Sequence, residues 1–392
     1  MYARAWRVVV AVACCLAPAT ALAQAEGANL WFVRAGVTPS FILPVNPFSL
    51  IDAQPSGAAA WAPGITVEIG RRTDGTKEWQ GTYNLPSYGF GVSTAAFENN
   101  GALVRPIEAY GFFSWPFARI SDRLGLTSDF GLGLSWNWTA ASLVRNTPPL
   151  EVLGSNINAR IDWGFYLRYI TTPRMSLYSG IDFTHRSNGG LVQPNQGINV
   201  LGPKVSVQYN FGPDGASLLD QPPAPPFHPS WDVVVAASGG LKNVMESTAP
   251  LVRQDFSAFD ATAAVRRHFY TFGRIASGVD VMYDGSTGAN LDANGVLWRV
   301  DMSQRWALGV FAGYEHIIGR FSALIDFGDV VARGWETPET PRFYERYGWR
   351  YQLSDRLFTG LSVRAVHGKK ADALEVGVGY RVPTSWGLDR SR

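Results

Sequence analysis

Residues 175–187 read MSLYSGIDFTHRS, and the fold turns on how they alternate. Met175, Leu177, Ser179, Ile181, Phe183, His185 and Ser187 share one parity; Ser176, Tyr178, Gly180, Asp182, Thr184 and Arg186 share the other. Successive side chains of a strand leave opposite faces. As a strand, this segment is therefore apolar on one face and polar, charged or small on the other. The next segment repeats the pattern, with Leu201, Pro203, Val205, Val207, Tyr209 and Phe211 against Gly202, Lys204, Ser206, Gln208 and Asn210. A soluble sandwich also alternates, but apolar residues toward lipid and polar ones toward a lumen are the pattern of a membrane barrel.

The same period of two runs along most of the chain, and no segment sustains a helical period. About sixteen such segments of roughly ten residues, the length of a tilted membrane-spanning strand, are separated by turn clusters such as SNGG and TPETPR. The composition agrees: 14 Trp, 15 Tyr, 22 Phe and 41 Gly accompany only 17% charged residues, which is low for a soluble domain. Closing the sheet on itself removes its edges. The expected fold is all-β, an antiparallel transmembrane β-barrel.

Arg4, Arg7 and an apolar run ending in Ala21-Leu22-Ala23 read as a secretory signal peptide over 1–23. Both cysteines, Cys14 and Cys15, fall inside it, so disulfides do not stabilise the rest. Without the signal, the net charge of +2 falls to about zero, which gives no case for nucleic acid. Signal peptide and barrel pattern together place the chain in an outer membrane.

The chain also looks duplicated. A segment 24–212 ends with a strand carrying a late histidine, a turn and a Gly-aromatic closing strand, and 230–392 ends likewise, with His367 as the counterpart of His185. A Pro-rich stretch, 213–229, lies between them. Two layouts fit, one barrel of about sixteen strands or two tandem eight-stranded barrels. The single large barrel is the expected one, because it needs no second lipid-embedded body.

His185 and Ser187 leave the lipid-facing side of their strand, where polar groups are costly unless paired. An imidazole beside a serine hydroxyl can take its proton and make it a nucleophile. Asn199 has the same parity on the returning strand, so its carboxamide oxygen is available to orient the ring. Asn188, Gly189 and Gly190, at the sharp turn, are candidate oxyanion donors. Against this, a His and a Ser two apart arise often by chance, and polar residues belong at a membrane rim anyway.

The stretch THRSNGGLVQPNQGIN, 184–199, resembles the site of the outer-membrane lipid A deacylases, the PagL-type acyloxyacyl hydrolase family. The resemblance is strong over about 160–212. It implies a barrel esterase that removes an acyl chain from lipopolysaccharide, with His185 as base, Ser187 as nucleophile and Asn188 contributing to the oxyanion site. Where that family has an acid as third member, this chain has Asn199, which is similar instead to the His-Ser-Asn triad of outer-membrane phospholipase A. The expected substrate is therefore a membrane lipid, with lipid A favoured by the PNQGIN turn, phospholipid as the alternative, and a non-catalytic porin or surface barrel as the rival class. No cofactor is expected; calcium and dimerisation stay open. If the chain begins in the periplasm, 174–187 is about the seventh strand and the loop 188–198 is extracellular.

Elsewhere, RRTDGTKEW (71–79) reads as a solvated turn, or as a lipid A phosphate site through Arg71, Arg72 and Lys77. Asp74 and Glu78 there are alternative ligands for a divalent cation. His367 has Lys369 where a nucleophile would be needed, so no second ester site is expected. His228, His268 and His316 read as interfacial side chains, since no metal-ligand spacing accompanies them. The chain carries no P-loop, dinucleotide fingerprint or H-E-x-x-H motif.

Overall fold

The computed structural model describes residues 30–43, 61–99, 102–138, 153–212, 227–246, 252–292, 295–338, 340–366 and 370–384. The signal segment 1–23, residues 213–226 of the linker, His367 and Lys369 lie outside them. The first half forms β1 (Trp31–Leu43), β2 (Trp61–Arg72), a short helix α1 (Glu78–Thr82), β3 (Ser87–Ala95), a small hairpin of β4 (Phe97–Asn99) and β5 (Ala102–Val104), β6 (Ile107–Arg119), β7 (Leu124–Trp136), β8 (Asn158–Thr172), β9 (Met175–Ser187) and β10 (Ile198–Asn210). The second half forms β11 (Ser230–Glu246), β12 (Val252–Tyr270), β13 (Gly273–Asp284), a hairpin of β14 (Asn290–Asp292) and β15 (Gly295–Trp298), β16 (Trp306–Ile318), β17 (Phe321–Arg333), β18 (Phe343–Gln352), β19 (Leu357–Val366) and β20 (Lys370–Pro383).

Sixteen of these strands build two closed antiparallel barrels of eight. In the first, β1 pairs with both β2 and β10; in the second, β11 pairs with both β12 and β20. The expectation of a single large barrel is thus corrected to the tandem layout. The physical reason lies in the edges. β10 finds its partner in β1 before the linker is reached, so each half satisfies its own backbone donors and acceptors. Among the described residues no strand of one half pairs with a strand of the other.

Alternation works as the sequence implies. On β9, Met175, Leu177 and Ile181 are exposed while Tyr178, Asp182, Thr184 and Arg186 are buried. Large apolar side chains such as Val67, Ile69, Phe90, Phe165, Ile181 and Val205 point outward, a surface that suits lipid and not water.

Inside the first barrel, Glu68 accepts from Arg34 at 2.5 Å and from Tyr110 at 2.8 Å. Glu108 holds Arg186 at 2.5 Å and Arg160 at 2.9 Å. In the second barrel, Arg346 sits among Asp260, Asp280 and Asp326, and Arg266 bridges Asp232 and Glu315. An eight-stranded lumen is just wide enough for side chains to fill, whereas an aqueous porin channel takes about 16–18 strands. Paired charges occupy these lumens, and with eight strands each the barrels lack the width that the porin alternative needs.

The barrels touch at both ends and between. The Tyr83 hydroxyl meets Nε2 of His316 at 3.0 Å, and Phe130 packs on Trp349 with ring centroids 4.8 Å apart. At one end of the first barrel β6–β7 and β8–β9 are joined by tight turns, and at the other end β1–β2 and β7–β8 are joined by long connections. Short turns are periplasmic and long loops extracellular in such barrels. β9, the seventh strand of its barrel, runs toward the long-loop end.

Candidate active site

β9 and β10 pair so that His185 stands directly opposite Asn199. Parity carries both side chains, with Ser187, to the outer face near the strand ends, where all three are half-buried. Nδ1 of His185 lies 2.5 Å from Oδ1 of Asn199, and Nε2 lies 3.0 Å from Oγ of Ser187. A carboxamide oxygen can only accept, so Nδ1 carries the ring proton. Nε2 is then left with its lone pair toward the serine hydroxyl, which donates to it. This is the tautomer in which an imidazole can deprotonate a serine.

The turn after Ser187 has a rigid internal structure. Gly189 and Gly190 adopt φ of +67° and +89°, a region L side chains avoid. The Asn188 backbone N–H donates to Oδ1 of Asn195 at 3.0 Å. Its Nδ2 donates to Oγ of Ser155 at 3.0 Å and to the Val192 carbonyl at 2.7 Å. Its Oδ1 accepts from the Gly190 N–H at 3.1 Å. The expectation that Asn188 and Gly190 offer their donors to an oxyanion therefore needs correcting, because these groups hold the turn itself. Of the three residues, Gly189 alone keeps an amide with no hydrogen bond among the described residues.

Gly197 closes the loop at φ +75°, and a Cβ there would come within 2.9 Å of Cε1 of His185. The absence of a side chain at 197 makes room for the ring. Below the site the outer wall is apolar, with Trp163, Phe165, Ile181 and Leu201 all exposed.

The remaining candidates lie elsewhere. Leu43 of β1 pairs with Asn199, whereas Trp31 at the other end of β1 pairs with Arg71. Twelve strand residues at about 3.3 Å each separate the two levels by roughly 40 Å along the strand. Arg71, Arg72 and Lys77 thus sit at the short-turn end and cannot share a headgroup with Ser187, which overturns their reading as a phosphate site. Their turn organises itself instead. Asp74 accepts from the Thr76 hydroxyl at 2.7 Å and from its backbone N–H at 3.1 Å, and these bonds hold the exposed carboxyl below its usual range. Among the described residues no group of three or more His, Cys, Asp or Glu is placed to hold a metal, Asp74 and Glu78 included.

His316 packs between the barrels in edge-on and tilted contacts with Tyr83, Trp115 and Phe272, and His268 packs on Phe227. His228 is exposed. Sequence reasoning missed the supporting set Ser155, Asn195 and Gly197. Its only trace was the PNQG turn, whose asparagine and glycine had no partner until the fold supplied one.

Residues 64–210 match the family model of the lipid A 3-O-deacylase (PagL), and residues 229–385 match that of the acyloxyacyl hydrolase C-terminal domain. No curated protein matches the chain. Among solved structures, the outer-membrane enzyme PagL is similar at 21% identity over 46% of this chain and 99% of its own, with a TM-score of 0.29. Neisserial surface protein A is similar at 14% identity over 47% and 99%, with a TM-score of 0.31. The two family models between them take in most of both barrels, and the chain belongs to the PagL-type acyloxyacyl hydrolase family, as an outer-membrane ester hydrolase.

Proposed function

We propose that this protein is a serine esterase that removes an ester-linked acyl chain from lipid A in the outer leaflet. The observation that carries the reading is the hydrogen-bonded sequence Ser187–His185–Asn199 on the outer face of the first barrel. A lipid substrate reaches that face by lateral diffusion, with its acyl chains along the apolar wall of Trp163, Phe165, Ile181 and Leu201. The long-loop end carries the site, which favours lipopolysaccharide over phospholipid.

Oγ of Ser187 attacks the ester carbonyl carbon while Nε2 of His185 takes the hydroxyl proton. Nδ1–H stays bonded to Asn199, which fixes the ring and supports the imidazolium. The carbonyl oxygen becomes an oxyanion, for which the Gly189 amide is the available donor. The tetrahedral intermediate expels the sugar alkoxide, which receives the proton from Nε2 and leaves as the alcohol. Water then attacks the acyl-serine with His185 again as base, and the fatty acid is released with Ser187 regenerated.

The test is a mass spectrum of lipid A from cells expressing the protein or its Ser187→Ala variant. Loss of one acyl chain with the wild type, and an intact lipid A with the variant, is the expected result. An unchanged lipid A with both proteins, together with Ser187-dependent fatty acid release from phospholipid, refutes the substrate assignment. Activity retained by Ser187→Ala refutes the mechanism.

A further inference from the structure

We infer that the second barrel is part of the catalytic apparatus, and that Asn243 is a positioning residue for the turn carrying the oxyanion donor. The inference rests on the esterase reading above. By parity Asn243 lies on the outer face of β11, since its neighbour Lys242 points inward to Asp284 and Asp372. Asp255, directly opposite on β12, is exposed, so this is the level of the rim, where an outward carboxamide would ordinarily meet water. Asn243 is nonetheless only 7% exposed, because the 188–193 turn of the first barrel covers it.

Three bonds fix it. Its backbone N–H donates to the Gly190 carbonyl at 3.3 Å, and its Oδ1 accepts from the Gln193 N–H at 2.9 Å. Its Nδ2 donates to Oδ1 of Asp255, the residue opposite on β12, at 2.6 Å. The wall of the second barrel continues the contact. A Cβ on Gly189 would meet Leu374 at 3.2 Å and Val363 at 3.4 Å, and one on Gly190 would meet the Ala371 carbonyl at 3.1 Å.

The turn is thus held from two sides. Ser155 and Asn195 fasten its start to the first barrel, and Asn243 fastens Gly190 and Gln193 to the second. Gly189, with its unbonded amide, lies between these anchors. An oxyanion donor works only if it is already aimed where charge develops. A sequence of two glycines with positive φ does not hold that aim alone. This assigns the second barrel a task its own strands do not reveal, since it lacks a serine-histidine pair of its own among the described residues.

The experiment compares initial rates of fatty acid release from lipopolysaccharide by the full two-barrel protein and its variants, with folding checked by heat-modifiable gel mobility. Asn243→Ala is expected to lower kcat by about 10- to 100-fold, the effect of misplacing a catalytic group by up to about 1 Å, with KM little changed. Asp255→Ala, at an exposed rim position that folding tolerates, is expected to lower kcat less and in the same direction. The exchange Asn243→Asp with Asp255→Asn keeps an acceptor for Gln193 and reverses only the donor between 243 and 255, so it is expected to restore kcat. Wild-type kcat in folded Asn243→Ala and Asp255→Ala, or no recovery in the exchange variant, overturns the inference. Ser187→Ala run alongside separates the two readings, because activity in that variant overturns the esterase assignment itself.

Discussion

Replacing Gly197 by alanine tests the site through a single methyl group. The new Cβ would stand 2.9 Å from Cε1 of His185. Carbon atoms in ordinary contact are about 3.5–4.0 Å apart, so either the ring or the turn must yield by about 0.6 Å. The ring has little slack, held between Asn199 at 2.5 Å and Ser187 at 3.0 Å. Misplacing a catalytic group by about 1 Å can cost on the order of 100-fold, so a drop in kcat of roughly tenfold is expected for the smaller shift. The φ of +75° adds a backbone cost of roughly 1–2 kcal/mol for a residue with a Cβ. Gly75, with φ +80° in the turn at the far end of the barrel, supplies the control. Gly75→Ala carries the same backbone cost and no contact with the ring. The assay is the rate of fatty acid release from lipopolysaccharide, with folding followed by gel mobility. A folded Gly197→Ala protein with kcat within about twofold of wild type would refute the placement of His185 as the base.

Asn199→Ala removes the acceptor for Nδ1–H and is expected to lower kcat by about 100-fold or more, while Asn199→Asp keeps an acceptor and retains activity; steady-state kinetics of both variants check this. The pH profile of kcat should fall by about tenfold per unit on the acid side, because a protonated His185 cannot accept the serine proton, and in Asn199→Asp the acid limb should move to higher pH because a carboxylate favours the charged ring. Glu108→Ala strands Arg160 and Arg186 in the lumen without their shared partner. Breaking a buried pair in this way costs about 3–5 kcal/mol, which denaturant unfolding in detergent should show as a lower midpoint.

Much of the candidate site's geometry was legible in the amino-acid order. Parity alone put His185, Ser187 and Asn199 on one face, because strand geometry leaves no other choice once the strand is accepted. Their mutual distances then followed from the register of one hairpin, with 185 opposite 199. The oxyanion side was less legible. Asn188 looked like a donor by its place in the motif, yet its donors are spent on Asn195, Ser155 and Val192. Arg71, Arg72 and Lys77 looked like a headgroup site because sequence gives charge and exposure but not which end of the barrel a turn occupies. The short helix α1 escaped notice because a five-residue helix shows no period.

What the sequence determined by itself was everything governed by neighbours along the chain. The period of two dictated strands, the sorting of residues by parity dictated a lipid face and a lumen face, and the count of about sixteen strands followed. What only the tertiary structure decided depends on which distant edges meet. Sixteen alternating strands are compatible with one barrel or two, since each residue's inward or outward direction is the same in both. The choice was made by β1 closing on β10, a contact between residues far apart in sequence whose backbone groups carry no side-chain code. The fold likewise brought Asn243 of β11 against the turn after Ser187, a meeting of two polar groups that no local pattern records.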